Sequence, residues 1–119
     1  MFAAHYKLDN LVAVVDNNGL QIDGNIKDVM SPYPIVDKFK AFGWHVIEMD
    51  AHDFDSIEKA FDEAEKIAGQ PVAIIQKSVK GKGVSFMENN VSWHGTAPNA
   101  EQYEQAKSEL EAALAALEA

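Results

Sequence analysis

Leu11-Val-Ala-Val-Val15 runs directly into Asp16-Asn17-Asn18-Gly19, and this junction decides how the rest of the chain is read. The first part is apolar at every position and rich in β-branched valine, which favours extended backbone; the second is a cluster of turn formers. A strand without polar alternation is expected to be buried on both faces, as strands of parallel sheets are.

Downstream, Ile35, Val36, Phe39 and Phe42 recur at helical spacing before Gly43, which stands where a C-terminal cap glycine belongs. Trp44-His-Val-Ile47 reads as a second strand. Asp53 then precedes an apolar stripe of period near 3.6, Phe54, Ile57, Ala60, Phe61, Ala64, Ile67 and Ala68, which predicts a helix capped by Asp53 at one end and Gly69 at the other, with Pro71 blocking continuation. Val72-Ala-Ile-Ile75 is the third strand, again apolar throughout. This alternation predicts an α/β fold: a βαβαβ core with a parallel sheet, right-handed crossovers and flanking helices.

Residues 78–98 show no apolar period and are rich in Gly, Lys, Asn and Ser, so they are read as a functional loop. Asn99, with Gln102 in the capping-box position, opens an Ala/Glu/Leu-rich helix over residues 99–118 that closes the domain or packs on a neighbour. One domain is expected over residues 1–119, since the length and the 47% apolar composition suffice for one core and not two.

A formal net charge of -9, with no run of Lys or Arg, argues against nucleic acid as a partner. The apolar runs are far shorter than the roughly 20 residues of a membrane span, and no export signal pattern is present, so a soluble, unexported chain is expected. The lack of cysteine excludes disulfides and thiolate zinc sites, and is compatible with a reducing cytoplasm.

Ligands of open parallel sheets bind beyond the carboxyl ends of the strands. Asp16 to Gly24 offers carboxylate, amide and turn carbonyl oxygens that suit Mg²⁺; the same residues suit a tight turn whose Asn side chains bond their own backbone. Lys80-Gly81-Lys82-Gly83 places two ammonium groups among glycines able to approach an anion, or is a solvated loop. Ser92-Trp93-His94-Gly95 puts an aromatic and an imidazole on a loop, at the cost of exposed apolar area with no evident folding benefit. His5, His45 and His52 have no ligand spacing; His45 is expected to pack within its strand.

Together, LVAVVDNNGLQIDG, FKAFGWHVIEMD, PVAIIQKSVKGKG and SWHGTAPN, in this order, resemble the cofactor-diphosphate-binding domain of transketolases, most closely the N-terminal subunit of the two-chain kind, over about Met1 to Ala106. The resemblance implies thiamine diphosphate and Mg²⁺ as cofactors, and transfer of a two-carbon ketol unit from a ketose phosphate to an aldose phosphate. It maps the metal ligands to the Asn18 amide and the Leu20 carbonyl. Cofactor contacts map to Asn18, Gly19, Leu20, Ile22, Lys80 and His94, with Ile22 against the cofactor rings. His94 and Lys80 take catalytic roles, His94 near the reacting carbon and Lys80 holding phosphate or assisting proton traffic.

Two family features are absent from the sequence: the Gly-Asp-Gly that opens the cofactor motif, and the activating glutamate that the family carries in another domain. The resemblance therefore implies that this is the C-terminal portion of the binding domain, inactive alone, whose partners are an upstream half-domain and a C-terminal transketolase subunit; a homo-oligomer is also expected, since an open sheet edge and apolar patches promote association. Ala51 stands where the family's Asp-Gly-His-Asp has glycine; were that backbone at positive φ, Ala51 is expected to cost roughly 1 kcal/mol. A non-enzymatic alternative is a truncated α/β fragment that self-associates through an open sheet edge and apolar helix faces.

Overall fold

The computed structural model describes residues 1–118; Ala119, the last residue of the predicted domain, lies outside the described residues. In chain order the elements are α1 (Phe2–His5), β1 (Val12–Asn17), β2 (Leu20–Gln21), β3 (Gly24–Asn25), α2 (Ile26–Val29), α3 (Ile35–Ala41), β4 (His45–Asp50), α4 (Phe54–Ala64), β5 (Val72–Lys77), a 3-10 turn (Val91–His94) and α5 (Ala100–Leu117).

β1 and β4 both pair in parallel with β5, giving the order β1-β5-β4. The last strand in the sequence is thus the central one, and the βαβαβ expectation holds. Val72, Ala73 and Ile74 are fully buried, as a strand with parallel neighbours on both sides and helices over both faces requires. On one face Ile47, Met49, Val72 and Ile74 meet Ala60 and Ala64 of α4, with Ile57 and Ile67 at the margin. α3 packs against β4 and β5, and Phe39 sets its ring edge-on to Trp44 at 5.5 Å.

β1 departs from its reading as a strand buried on both faces. Val12 and Val14 share the face of Val72 and Ile74 by register, yet Val14 is 49% exposed, because α4 packs chiefly on β4 and leaves β1 uncovered. A second correction concerns the helix after Asp53. The side chain of Asp53 caps it by accepting the Asp55 N–H at 3.0 Å, as expected, but the helix ends at Ala64, not at Ala68. Beyond Ala64 the backbone bonds shorten to three-residue spacing, Lys66 to Glu63 and Ile67 to Ala64, which tightens and stops the helix. Gly69, at φ +74, is no helix cap; its N–H donates to Asp9 Oδ2 at 3.0 Å.

The Gly43 and Asn99 readings hold. Gly43 follows α3 at φ +82, and Asn99 and Gln102 exchange both capping-box bonds at 2.9 Å. α5 nonetheless buries none of its residues, and Tyr103, Leu110 and Leu114 line an apolar hollow along it. The radius of gyration, 17.7 Å, exceeds the roughly 13.5 Å of a compact chain this long, which reflects that extended placement.

Residues 78–98 are folded into successive turns. Val84 is buried, Gly83 N–H donates to Glu88 Oε1 at 3.0 Å, and the N–H and hydroxyl of Ser85 donate to Glu109 of α5 at 2.7 and 2.6 Å. Trp93 corrects the reading of a costly exposed aromatic: it is half-buried, tilted against Phe86 at 5.3 Å, with its indole N–H donating to Phe86 O at 3.0 Å.

Ile74→Ala removes a fully enclosed side chain and is expected to destabilise the chain by about 2 to 5 kcal/mol, against about 1 kcal/mol or less for Val14→Ala. Urea unfolding of both variants checks the contrast, and equal losses would contradict the described burial. The Gly83 N–H holds the Glu88 carboxyl below the ordinary glutamate value, with Lys82 helping; the Ser85 hydroxyl, then its N–H, does the same for Glu109. A lowered folded value means that these bonds contribute in full above the unfolded pKa and are lost as pH falls through the folded one. Carboxyl-carbon NMR should find both groups titrating below 4.5, with Ser85→Ala moving Glu109 upward and leaving Glu88 in place.

Candidate functional site

The parallel register ends level, with Asn17, Lys77 and Asp50 side by side, so three loops leave the sheet at one end. The first is tightly built. Gly19 adopts φ +77, Asn18 Oδ1 accepts the Leu20 N–H at 2.9 Å, and Asn18 Nδ2 donates to Asp16 Oδ2 at 3.4 Å. Asn17 Oδ1 accepts the Tyr33 hydroxyl at 2.8 Å, and Leu20–Gln21 pairs antiparallel with Gly24–Asn25, leaving Ile22 and Asp23 at the hairpin tip. The turn reading of this segment is therefore realised. It leaves the ligand reading open, because a carbonyl oxygen has a second lone pair.

Asn18, Leu20, Ile22, Lys80 and His94 line one cleft of about 270 Å³, together with Gln21 and Val91. Two loops separated by more than fifty residues supply its walls. Gly19 does not line this cleft; it borders two neighbouring hollows of about 700 and 490 Å³, the larger of which also takes in Asp50, Lys77 and Ser78. The side chains of Lys80 and His94 make no hydrogen bond among the described residues, whereas Lys82 lies 3.5 Å from Glu88. Of the two lysines in Lys80-Gly-Lys-Gly83, only Lys80 thus faces the cleft with its charge uncommitted to a carboxylate. Gly81, at φ +71, is required for its space too: a Cβ there would stand 2.6 Å from Met87 O.

Several contributors were not legible beforehand. Gln21 and Val91 belong to hairpin and turn segments with no periodic signal, and the buried Gln21 Nε2 has no partner among the described residues. The Ser78 hydroxyl donates to Asp16 Oδ1, and His52 Nε2 accepts the Val79 N–H at 2.8 Å. His45, by contrast, is half-buried in β4 as expected, bonded to Glu63 Oε1 at 2.7 Å. Ala51 does not have positive φ, so the alanine in place of glycine carries no such strain.

The donor set fits a diphosphate in part: an ammonium and an imidazole face one cleft. It fits Mg²⁺ only in part. Asn18 Oδ1 and the Leu20 carbonyl are neutral oxygens, and among the described residues no group of three or more His, Cys, Asp or Glu converges on a metal position. Mg²⁺ held here would need phosphate oxygens and a carboxylate from another segment.

Comparison with known proteins places these features in a family. Residues 1–115 match the family described as the transketolase, thiamine diphosphate binding domain. The chain is 42% identical over 118 residues to one of the subunits of the apulose-4-phosphate transketolase of Phocaeicola vulgatus, covering 99% of this chain and 42% of that protein. To human transketolase it is 45% identical over 96 residues, 79% of this chain and 15% of that one. The transketolase structure from Campylobacter jejuni superposes with a TM-score of 0.84 at 30% identity, covering 91% of this chain and 17% of that one. The chain spans about two fifths of the length of the transketolase subunits it matches. With a match over residues 1–115 and a shared fold, this chain belongs to the transketolase thiamine diphosphate-binding domain family.

Proposed function

We propose that this chain forms one wall of the thiamine diphosphate site of a transketolase that moves a two-carbon ketol unit from a ketose phosphate to an aldose phosphate. The observation that carries this reading is the convergence of Asn18, Leu20, Ile22, Lys80 and His94, from two distant loops, on one cleft. Bound thiamine diphosphate supplies the carbanion chemistry, and the protein binds, orients and polarises.

Lys80, with no acidic partner among the described residues, binds the diphosphate with a charge-assisted contact. Ile22, an apolar side chain 66% exposed at the hairpin tip, is available to pack on a ring system. Asn18 Oδ1 and the Leu20 carbonyl serve as neutral Mg²⁺ donors. His94, exposed at the end of the 3-10 turn, holds or delivers a proton at the substrate oxygen, a role typically worth 10²- to 10⁴-fold in rate.

The missing carboxylate and the activating glutamate come from partners: an upstream half-domain and a C-terminal subunit, in a cytoplasmic oligomer with no nucleic acid or membrane component. Sugar phosphates are the substrate class, and the relative named for apulose-4-phosphate supports a split enzyme acting on another sugar phosphate as a second reading. The exposed Tyr103, Leu110 and Leu114 of α5 favour self-association as the non-enzymatic reading.

In the complete enzyme, His94→Ala should lower kcat/KM for the ketose donor more than it weakens thiamine diphosphate binding. Lys80→Ala should chiefly weaken cofactor binding, by about 1.5 to 3 kcal/mol, the range for a hydrogen bond to a charged group. Steady-state kinetics and calorimetry check the split, and near-zero effects at both positions would reject the assigned roles. The 119-residue chain by itself should bind thiamine diphosphate weakly at millimolar Mg²⁺ and show no ketol transfer, because its metal donors are neutral. Micromolar affinity in a calorimetric titration, or turnover in a coupled assay, would overturn that expectation.

A further inference from the structure

We propose that His52 is a positioning residue for the cofactor-binding loop: its Nε2 seats the Val79 N–H and thereby fixes where Lys80 enters the cleft. This role rests on the reading that Lys80 holds the cofactor diphosphate.

The parallel ladder stops at Asn17, Lys77 and Asp50, and the Lys77 carbonyl takes its last bond from the Ala51 N–H at 2.9 Å. From Ser78 onward the chain has left both neighbours, and a backbone N–H there must find another acceptor or water. Val79 finds His52 Nε2 at 2.8 Å, across 27 residues of sequence. To accept, the ring must be neutral with its proton on Nδ1.

His52 is itself held by a stiff turn. Its own N–H donates to Asp50 Oδ1 at 2.9 Å, the Asp50 N–H donates to the Ser56 hydroxyl at 3.0 Å, and Asp53 caps α4. The imidazole therefore leaves a backbone fixed on both sides, unlike the freely rotating side chain of an incidental surface histidine.

On the opposite side the Ser78 hydroxyl donates to Asp16 Oδ1, and the other oxygen of the same carboxylate accepts from Asn18 Nδ2 at 3.4 Å. Two consecutive residues are thus clamped from the two outer strands, Ser78 from β1 and Val79 from the β4–α4 turn. The next residue is Lys80. Asp16 links this clamp to Asn18 across the cleft, so the two walls share one register. His52 lies outside the residues lining the cleft, which makes its role indirect.

The test uses the complete enzyme carrying this segment, with His52→Leu, His52→Gln and His52→Asn. Glutamine can place an acceptor oxygen near the position of Nε2, leucine has no acceptor, and asparagine is polar but too short. Two readouts are needed: hydrogen exchange at the Val79 amide, and thiamine diphosphate affinity by calorimetry at millimolar Mg²⁺. The leucine and asparagine variants should each lose about tenfold in Val79 protection and about tenfold in affinity, the scale of one hydrogen bond, while the glutamine variant stays within about threefold of the parent.

Equal Val79 exchange in the leucine and glutamine variants overturns the proposal. So does lost protection with unchanged affinity when Lys80→Ala still weakens binding, since His52 is then only structural. If Lys80→Ala also leaves affinity unchanged, the reading of Lys80 fails and the positioning role falls with it, while the Val79 result still reports whether the His52 bond exists. His52 is exposed, so the variants should fold, and an unchanged thermal midpoint confirms it.

Discussion

β5 is enclosed on both sides by parallel partners, and every part of the candidate site depends on that pairing. Parallel ladders in a common register force the strands to end together, so the loops after β1, β4 and β5 start within a few ångströms of one another. The fully buried Val72, Ala73 and Ile74 anchor the central strand. The exposed β1 valines show that the sheet is held from β5 outward, not from its β1 edge. A shift of one residue along β5 would exchange Val72 and Ile74 with Ala73 and Ile75 between its two buried faces and separate Ser78 from Asp16.

What lies above the sheet is held by polar contacts. Each turn of residues 78–98 has an identifiable tie: Ser78 to Asp16, Val79 to His52, Gly83 to Glu88, Ser85 to Glu109 and the Trp93 indole to Phe86 O. Two of these acceptors are glutamates. They tie the loop to itself and to α5, and Glu88 also draws Lys82 toward the loop and away from the cleft. The charge pattern of the loop thus leaves Lys80 as the cation facing Asn18 and His94.

Much of this was legible because it is local. The strands, the Asp53 and Asn99 caps and the glycine after α3 are written within a few residues of where they act, and they form as read. The uncovered face of β1 was not legible, since an apolar run reports a preference for burial and not whether a neighbouring helix reaches that far. The early end of α4 was not legible either, since the change to three-residue bonds at Lys66 and Ile67 leaves no mark in the apolar period, and Trp93 finds its partner, Phe86, within the same aperiodic loop. For the site, resemblance named six residues, of which five meet in one cleft and Gly19 borders the neighbouring hollows. It could not name His52 or Ser78, whose partners are the Val79 amide and the Asp16 carboxylate, because neither contact leaves a spacing pattern in the sequence.

An anion site on a chain with net charge -9 has to work at short range. At physiological ionic strength fields fade over about 8 Å, so the surplus carboxylates weakly oppose a diphosphate far from the surface and matter little within the cleft. Inside it the balance rests on one ammonium and one imidazole, set against the cost of stripping water from both sides. That balance is thin. On the proposed function each neutral Mg²⁺ donor would add little until a carboxylate and the phosphates shared the ion, so affinity should rise steeply when the missing wall is supplied and remain small before then. The exposed faces of β1 and α5 are apolar, so a partner that covered them would gain burial energy, and on the proposed function one that also supplied the missing wall would gain it in the same step. On the proposed function, assembly and cofactor binding would in this way be coupled, each lowering the cost of the other.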